Sequence, residues 1–286
     1  MDLSLLMQKE METLNSGVWG TIGPHSTAAA EALADYTGAA HGLLCHSESA
    51  AYETVLRYFG AGLCDLPRGD VVLVGECSMP LDSLGALCVG ASPVFCSVCD
   101  RCGMIRPKGL EEMLKNASAP IRAVVVDYYA ERPEAEQYKL EKISAICREH
   151  GVRLILMAGG CIGVRHGDQP LTAYADAVIY SLGEGSVVDA GGGGFVATDD
   201  PSVWGGVFAY HNCGRTPGAG CSLVMDNIGG DMRVTEWIAA AAQEILKQGV
   251  LREPTPRTPV LMKGQPVFEN EYAKKYVVPI NGVRDE

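Results

Sequence analysis

DAVIYSLGEGSVVDAGGGGFVAT, Asp176 to Thr198, reads as a strand (Asp176 to Ser181), a polar turn, and four glycines that run into a second strand (Phe195 to Thr198). A short apolar run bounded by turn residues signals a buried strand. Outward from this stretch, strands and helices alternate. Val152 to Leu156, Ile121 to Val126, Pro93 to Val98 and Val71 to Val74 read as strands, with helices expected at Pro80 to Val89 and Gly109 to Lys115. In Glu134 to His150, Leu140, Ile143, Ile146 and Cys147 share one helical face, and Gly151 ends the run. Nearer the N-terminus, Ser26 and Thr27 are expected to cap an alanine-rich helix, and Leu43 to Cys45 forms a strand before a helix that begins near Ser49. Strands apolar on both faces that alternate with helices predict an α/β fold, a mostly parallel central sheet covered by helices on both faces.

A chain of 286 residues, 47% hydrophobic and 20% charged, has an ordinary globular composition. Its net charge of −12 argues against a nucleic-acid surface. No apolar run approaches the roughly 18 residues that span a bilayer, and the opening MDLSLLMQKEMETL is amphipathic and charged, so neither membrane insertion nor a signal peptide is expected. Eleven cysteines scattered through apparent core elements suit reduced thiols, and the expected location is cytoplasmic. Cys96, Cys99 and Cys102 have the spacing of an iron–sulfur run, but the fourth thiolate and its proline are missing, and no metal is expected. Gly191 to Gly194 lacks the Lys-Ser/Thr that would make it a Walker loop.

The stretch resembles the active-site segment of the DegT/DnrJ/StrS sugar aminotransferase family, enzymes of the fold-type I class that use pyridoxal phosphate (PLP). That segment runs roughly F-S-F-x-x-x-K-x-x-x-x-G-E-G-G. Further on, YHNCGRTPG (Tyr210 to Gly218) and GGDMRVTEWIAAAAQEILKQ (Gly229 to Gln248) resemble the family's R-N-H-G-R loop and its G-x-N-Y-R-M-T-E helix. The resemblance implies an aminotransferase-like large domain over residues 1–249. It leaves 250–286 as a shortened arm, a remnant of a small C-terminal domain that is largely missing. REPTPRTP (Arg252 to Pro259) is expected to run extended, and QPVFENEYAKKYVVPI is the part that still resembles the family's ending.

Laid over the motif, Ser181 matches a phosphate-binding serine, and Ser47 and Ser49 match two more, a degenerate phosphate site. The lysine that would form the Schiff base falls on Ser186, and no lysine occurs anywhere between Ile143 and Leu246. The carboxylate that would face the pyridine nitrogen falls on Met157, the stacking ring near Ser78, and the asparagine that the family reaches across from a neighbouring subunit on Asp231. Four requirements of PLP chemistry are missing together, so no cofactor is expected and no catalytic residue is assigned. Glu48, Glu76, Glu184, Asp189 and Ser78, with His211 and His46 in nearby loops, surround the old pocket. They are either solvated turn groups or a site re-tuned to a cation. The expected role is a non-catalytic structural or regulatory subunit in a sugar or small-molecule biosynthetic pathway, paired with itself or with an active paralogue. A PLP-independent enzyme that reuses the pocket, or a true sugar aminotransferase, stands as the alternative.

Overall fold

The computed structural model describes residues 2–20, 22–62, 70–99, 102–129, 138–216, 225, 227–253 and 260–269. In chain order the elements are α1 (Leu3–Ser16), α2 (Pro24–Thr37), β1 (His41–Cys45), α3 (Glu48–Tyr58), β2 (Val71–Gly75), β3 (Cys77–Ser78), α4 (Pro80–Cys88), β4 (Ser92–Cys96) and α5 (Pro107–Lys115). They continue with β5 (Ile121–Asp127), α6 (Tyr138–His150), β6 (Arg153–Met157), β7 (Arg165–His166), β8 (Gln169–Pro170), β9 (Ala177–Ser181), β10 (Gly194–Thr198), α7 (Pro201–His211), α8 (Glu236–Gln248) and β11 (Val260–Leu261). The fold is α/β, with a mostly parallel seven-stranded sheet in the order β1-β10-β9-β6-β5-β2-β4 and helices flanking it. The chain divides into two compact units, Met1–Val55 with Ala158–Pro256 and Leu56–Met157 with Arg257–Glu286.

The second unit holds the parallel strands. β2 pairs with β4 on one side and β5 on the other, and β5 pairs with β6 in a register that sets Asp127 beside Met157. Every residue of β2 is buried, which is why VVLVG reads as an unbroken apolar run rather than an alternation. Asp70, just before β2, is buried and ion-pairs with Arg122 at 2.9 Å. β11 adds to β3 in antiparallel register, and Phe268 meets Phe95 edge-on at 5.2 Å, so residues 260–268 join this unit. The first four residues of the helix expected from Glu134, most of the extended run Arg252 to Pro259, and the chain beyond Glu269 lie outside the described residues.

In the first unit β1, β10 and β9 form an antiparallel set, with Cys45 opposite Gly194 and Gly194 opposite Ser181. α1 and α2 pack on α8, and α7 packs on β1. The start of α2 departs from expectation. The helix begins at Pro24, with Gly23 as its N-cap and Ser26 one turn inside. Proline at the first helical position has its φ already set, and its missing N–H is one that the helix would leave unpaired anyway. The next two N–H groups are taken by a distant residue. Glu236 of α8 accepts from His25 N at 2.8 Å through Oε2 and from Ser26 N at 2.9 Å through Oε1. Glu236 is fully buried, so its carboxylate both neutralises the helix N-terminus and ties α2 to α8.

Candidate functional site

The turn between β9 and β10 is closed by its own side chains. Ser186, at the position matched to the lysine, is 3% exposed, and its hydroxyl lies 2.6 Å from the Gly183 carbonyl and 2.9 Å from the Val188 carbonyl. Asp189 accepts from Gly191 N at 3.1 Å and from Gly185 N at 3.4 Å, and it pairs with Arg252 at 2.7 Å. Arg252 N in turn donates to the Val187 carbonyl at 2.9 Å, which pins the chain after α8 across the turn. Asp189 is therefore a clasp within the loop. Glu184 is exposed and points to no partner among the described residues.

The glycines then pass behind the turn that precedes α3. Ser47 bridges Gly193 in parallel fashion, and a Cβ on Gly194 would collide with the Ser47 carbonyl and the Glu48 backbone nitrogen. Gly193 has a φ of 106°, which a side chain would resist. So the four glycines bring the β10 strand entry against Ser47 and Glu48. Two of the three matched serines already hold backbone. Ser47 Oγ accepts from Ala50 N at 3.1 Å, capping α3, and Ser181 Oγ accepts from Gly183 N at 3.2 Å. Ser49 and Glu48 occupy the first turn of α3, where a carboxylate complements the helix dipole.

Further along the first unit, the HNCGR loop and the DMRV segment run against each other. Met232 N donates to the His211 carbonyl and Cys213 N to the Gly230 carbonyl, both at 3.0 Å. Asp231 and Arg233 form a two-point pair, Nε to Oδ1 at 2.7 Å and Nη2 to Oδ2 at 2.8 Å. The guanidinium holds the Asp231 carboxyl below its ordinary range, so the charge expected to repel a phosphate is matched within two residues. His211 is buried, and that burial lowers its pKa to about 4, more than the nearby Leu44 and Phe208 carbonyls raise it. Its imidazole is therefore neutral at pH 7. His46 is exposed, and its N–H donates to the Met232 carbonyl at 3.0 Å.

Three of the expected pocket residues belong to the second unit. Met157 ends β6 and is 1% exposed. Ser78 is buried, with its hydroxyl 3.3 Å from the Met79 carbonyl, and Glu76 Oε2 lies 3.9 Å from Lys263 Nζ. One carboxylate there escaped the sequence reading. Asp127 ends β5, is buried, and accepts from Met79 N at 3.1 Å. Burial first, then Asp127 and Glu76, push the Cys77 thiol up, so this end of the parallel strands is electronegative. The signal was present: a charged residue closing an apolar run at the carboxyl end of a parallel strand, where ligands of α/β folds collect. Of the cysteine run, Cys96 and Cys99 are buried and Cys102 Sγ lies 3.5 Å from Lys139 Nζ. No group of three His, Cys, Asp or Glu side chains able to hold a metal occurs among the described residues. No helix among them is long and apolar enough to cross a membrane.

Comparison with known proteins agrees with this architecture. The sequence profile of the DegT/DnrJ/EryC1/StrS aminotransferase family matches residues 5–250. The L-glutamine:2-deoxy-scyllo-inosose aminotransferase of Streptomyces lividus is 28% identical over 250 residues, covering 82% of this chain and 56% of that protein. The spore coat polysaccharide biosynthesis protein SpsC of Bacillus subtilis is 25% identical over 197 residues, covering 69% and 47%. The chain thus spans about half the length of the curated relatives it matches. Among solved structures, Helicobacter pylori PseC, an aminotransferase of pseudoaminic acid biosynthesis, superimposes with a TM-score of 0.72 at 22% identity, over 86% of this chain and 63% of its own. The 3-amino-5-hydroxybenzoic acid synthase gives 0.75 at 21% identity, over 86% and 61%.

Proposed function

Because the chain belongs to the DegT/DnrJ/EryC1/StrS aminotransferase family, we propose that it is a member that has left Schiff-base chemistry and serves as a structural or regulatory subunit in a sugar or small-molecule biosynthetic pathway. The observation that carries this reading is Ser186. A Schiff base needs an amine at that position, and here a hydroxyl is spent on two carbonyls of its own turn. PLP, which the resemblance implies, does not fit these residues: there is no amine between Ile143 and Leu246, and the buried thioether of Met157 cannot pair with a protonated pyridine. The relatives' names support the pathway class, since they include an inosose aminotransferase and a polysaccharide biosynthesis protein. The test is covalent capture. Protein incubated with millimolar PLP and treated with borohydride is expected to take up no label and to show no band near about 420 nm. Stoichiometric fixation of PLP to the chain would overturn the proposal and return the protein to the family's transamination.

A subunit role also needs a partner, and α1 offers a face for one. Leu3, Met7, Met11 and Leu14 recur at helical spacing and are between 47% and 68% exposed, while the opposite side of the helix packs on α8. An apolar stripe of this kind on an amphipathic helix is ordinarily covered. We therefore place it in a dimer, formed by two copies of this chain or by this chain and a catalytically intact family member. Sedimentation at micromolar concentration is expected to show association that Met7→Glu with Met11→Glu weakens by at least about tenfold, the cost of burying two charges on such a face. A monomer at that concentration, with no intact member co-purifying, would remove this part of the reading.

A further inference from the structure

In the first unit a cavity of about 390 Å³ opens between α2, β1 and α7, within the size range of small-molecule sites. Its lining has three chemically distinct parts. The body is apolar and aromatic. Ala34, Leu43 and Leu44 line it, and the Trp204 and Phe208 rings, 5.6 Å apart, form a wall that His41 extends by stacking on Trp204 at 5.7 Å. Trp204 spends its N–H on the Gly42 carbonyl at 3.2 Å, so what the ring offers the cavity is π surface. The rim is acidic. Glu31 and Asp35, one turn apart on α2, are exposed, and their carboxylates have no hydrogen bond or ion pair among the described residues. The inner end is His211, only 2% exposed, with an Nδ1 that meets no hydrogen-bond partner among the described residues. A neutral imidazole keeps one nitrogen as an acceptor, and Nδ1 is the ring nitrogen left without a partner. A bound N–H or O–H would supply the donor it lacks. The one cation in the lining, Arg233, is matched by Asp231, so the rim keeps its negative sign.

We propose that this cavity binds a small primary amine with an apolar or aromatic body and a hydroxyl or N–H donor at its far end. The ammonium lies at Glu31 and Asp35, the body stacks on Trp204, and the distal donor reaches His211 Nδ1. Nothing in this assignment depends on whether the β9–β10 turn has lost its Schiff base. An amine over an aromatic face with carboxylates beside it combines cation–π and Coulomb attraction, and a buried acceptor selects ligands that carry a donor at the right depth.

Tyramine carries all three groups and is the probe for calorimetric titration. For a ligand this small, a dissociation constant at or below about 1 mM is expected. Tyrosol, which replaces the ammonium with a hydroxyl, is expected to bind at least about tenfold more weakly, and Glu31→Gln with Asp35→Asn to lose a similar factor for tyramine but little for tyrosol. Phenethylamine, which lacks the phenol, is expected to bind several-fold more weakly than tyramine. The two carboxylates are exposed, so the double variant keeps the fold, and unchanged tryptophan fluorescence checks this. Equal affinity for tyramine and tyrosol, an unchanged affinity in the double variant, or no heat at several millimolar tyramine would each overturn the proposal. Absence of tyramine binding together with a changed sedimentation coefficient in the double variant would also overturn it, giving the cavity to a second protein chain instead.

Discussion

Ser186→Lys is expected to lower the stability of the first unit by about 4 kcal/mol and to leave the protein without a PLP anchor. The side chain that is replaced is buried and bonded to the Gly183 and Val188 carbonyls, and its neighbours Leu182, Val187 and Val188 are buried as well. The hydroxyl's one proton is shared between the two carbonyls, so its loss costs about 1 kcal/mol, and placing an ammonium in an apolar turn adds a desolvation cost of several more unless it escapes. Ser186→Ala removes this shared bond without adding the charge and is expected to cost about 1 kcal/mol. All three tryptophans, Trp19, Trp204 and Trp237, belong to the first unit, so urea unfolding followed by their fluorescence reads it directly. If Ser186→Lys is instead as stable as the parent, and with PLP develops a band that borohydride fixes, then the turn still holds a lysine-shaped space. Loss of the Schiff base would then rest on one codon, and the non-catalytic reading would be left to Met157 and Ser78.

Where the sequence was legible, local physics decided the outcome. β2, β5, β6, β9 and β10 are continuous apolar runs in a buried sheet, and no distant partner was needed to recognise them. The glycine loop was legible only through its resemblance to the family motif, and the close approach of Gly194 to Ser47 came from the fold. What the sequence hid was settled by residues far apart in the chain. Glu184 and Asp189 look equivalent as acids in one turn, yet Asp189 is committed to Gly185, Gly191 and Arg252 while Glu184 faces solvent. Arg252 sits past the end of α8, and nothing local announces that pairing. The amine-sized cavity was hidden for the same reason. Its acidic rim is on α2, its aromatic wall on α7, and His211 reaches it because the 231–233 segment lies along β1 and the end of α7.

The start of α2 was misplaced for this reason too, and it yields the second large effect. Glu236→Ala is expected to destabilise the first unit by about 3 kcal/mol. The variant strips the acceptors from His25 N and Ser26 N, two donors of a helix N-terminus that pack against the fully buried Glu236 and have no other partner among the described residues. Charge-assisted hydrogen bonds are worth about 1.5–3 kcal/mol each, and the carboxylate also complements the helix dipole; against this stands the cost of keeping an ion out of water. The last term decides the sign, and it is small here because the carboxylate receives two backbone N–H groups, an environment that replaces part of its hydration. The close fit supports this: a Cβ on Gly23 would lie 2.7 Å from Glu236 Cδ, so the loop is drawn onto the carboxylate with no room for a side chain. Glu236→Gln keeps one carbonyl acceptor in place and is expected to cost about half as much. Tryptophan fluorescence again reads the change, since Trp19 lies next to the bond: its carbonyl accepts from Glu236 N at 2.9 Å. A loss below about 1 kcal/mol for Glu236→Ala would mean that desolvation cancels the bonds. The remaining contact at the helix start, Gly23 N donating to Ser26 Oγ at 3.0 Å, would then be cap enough for α2.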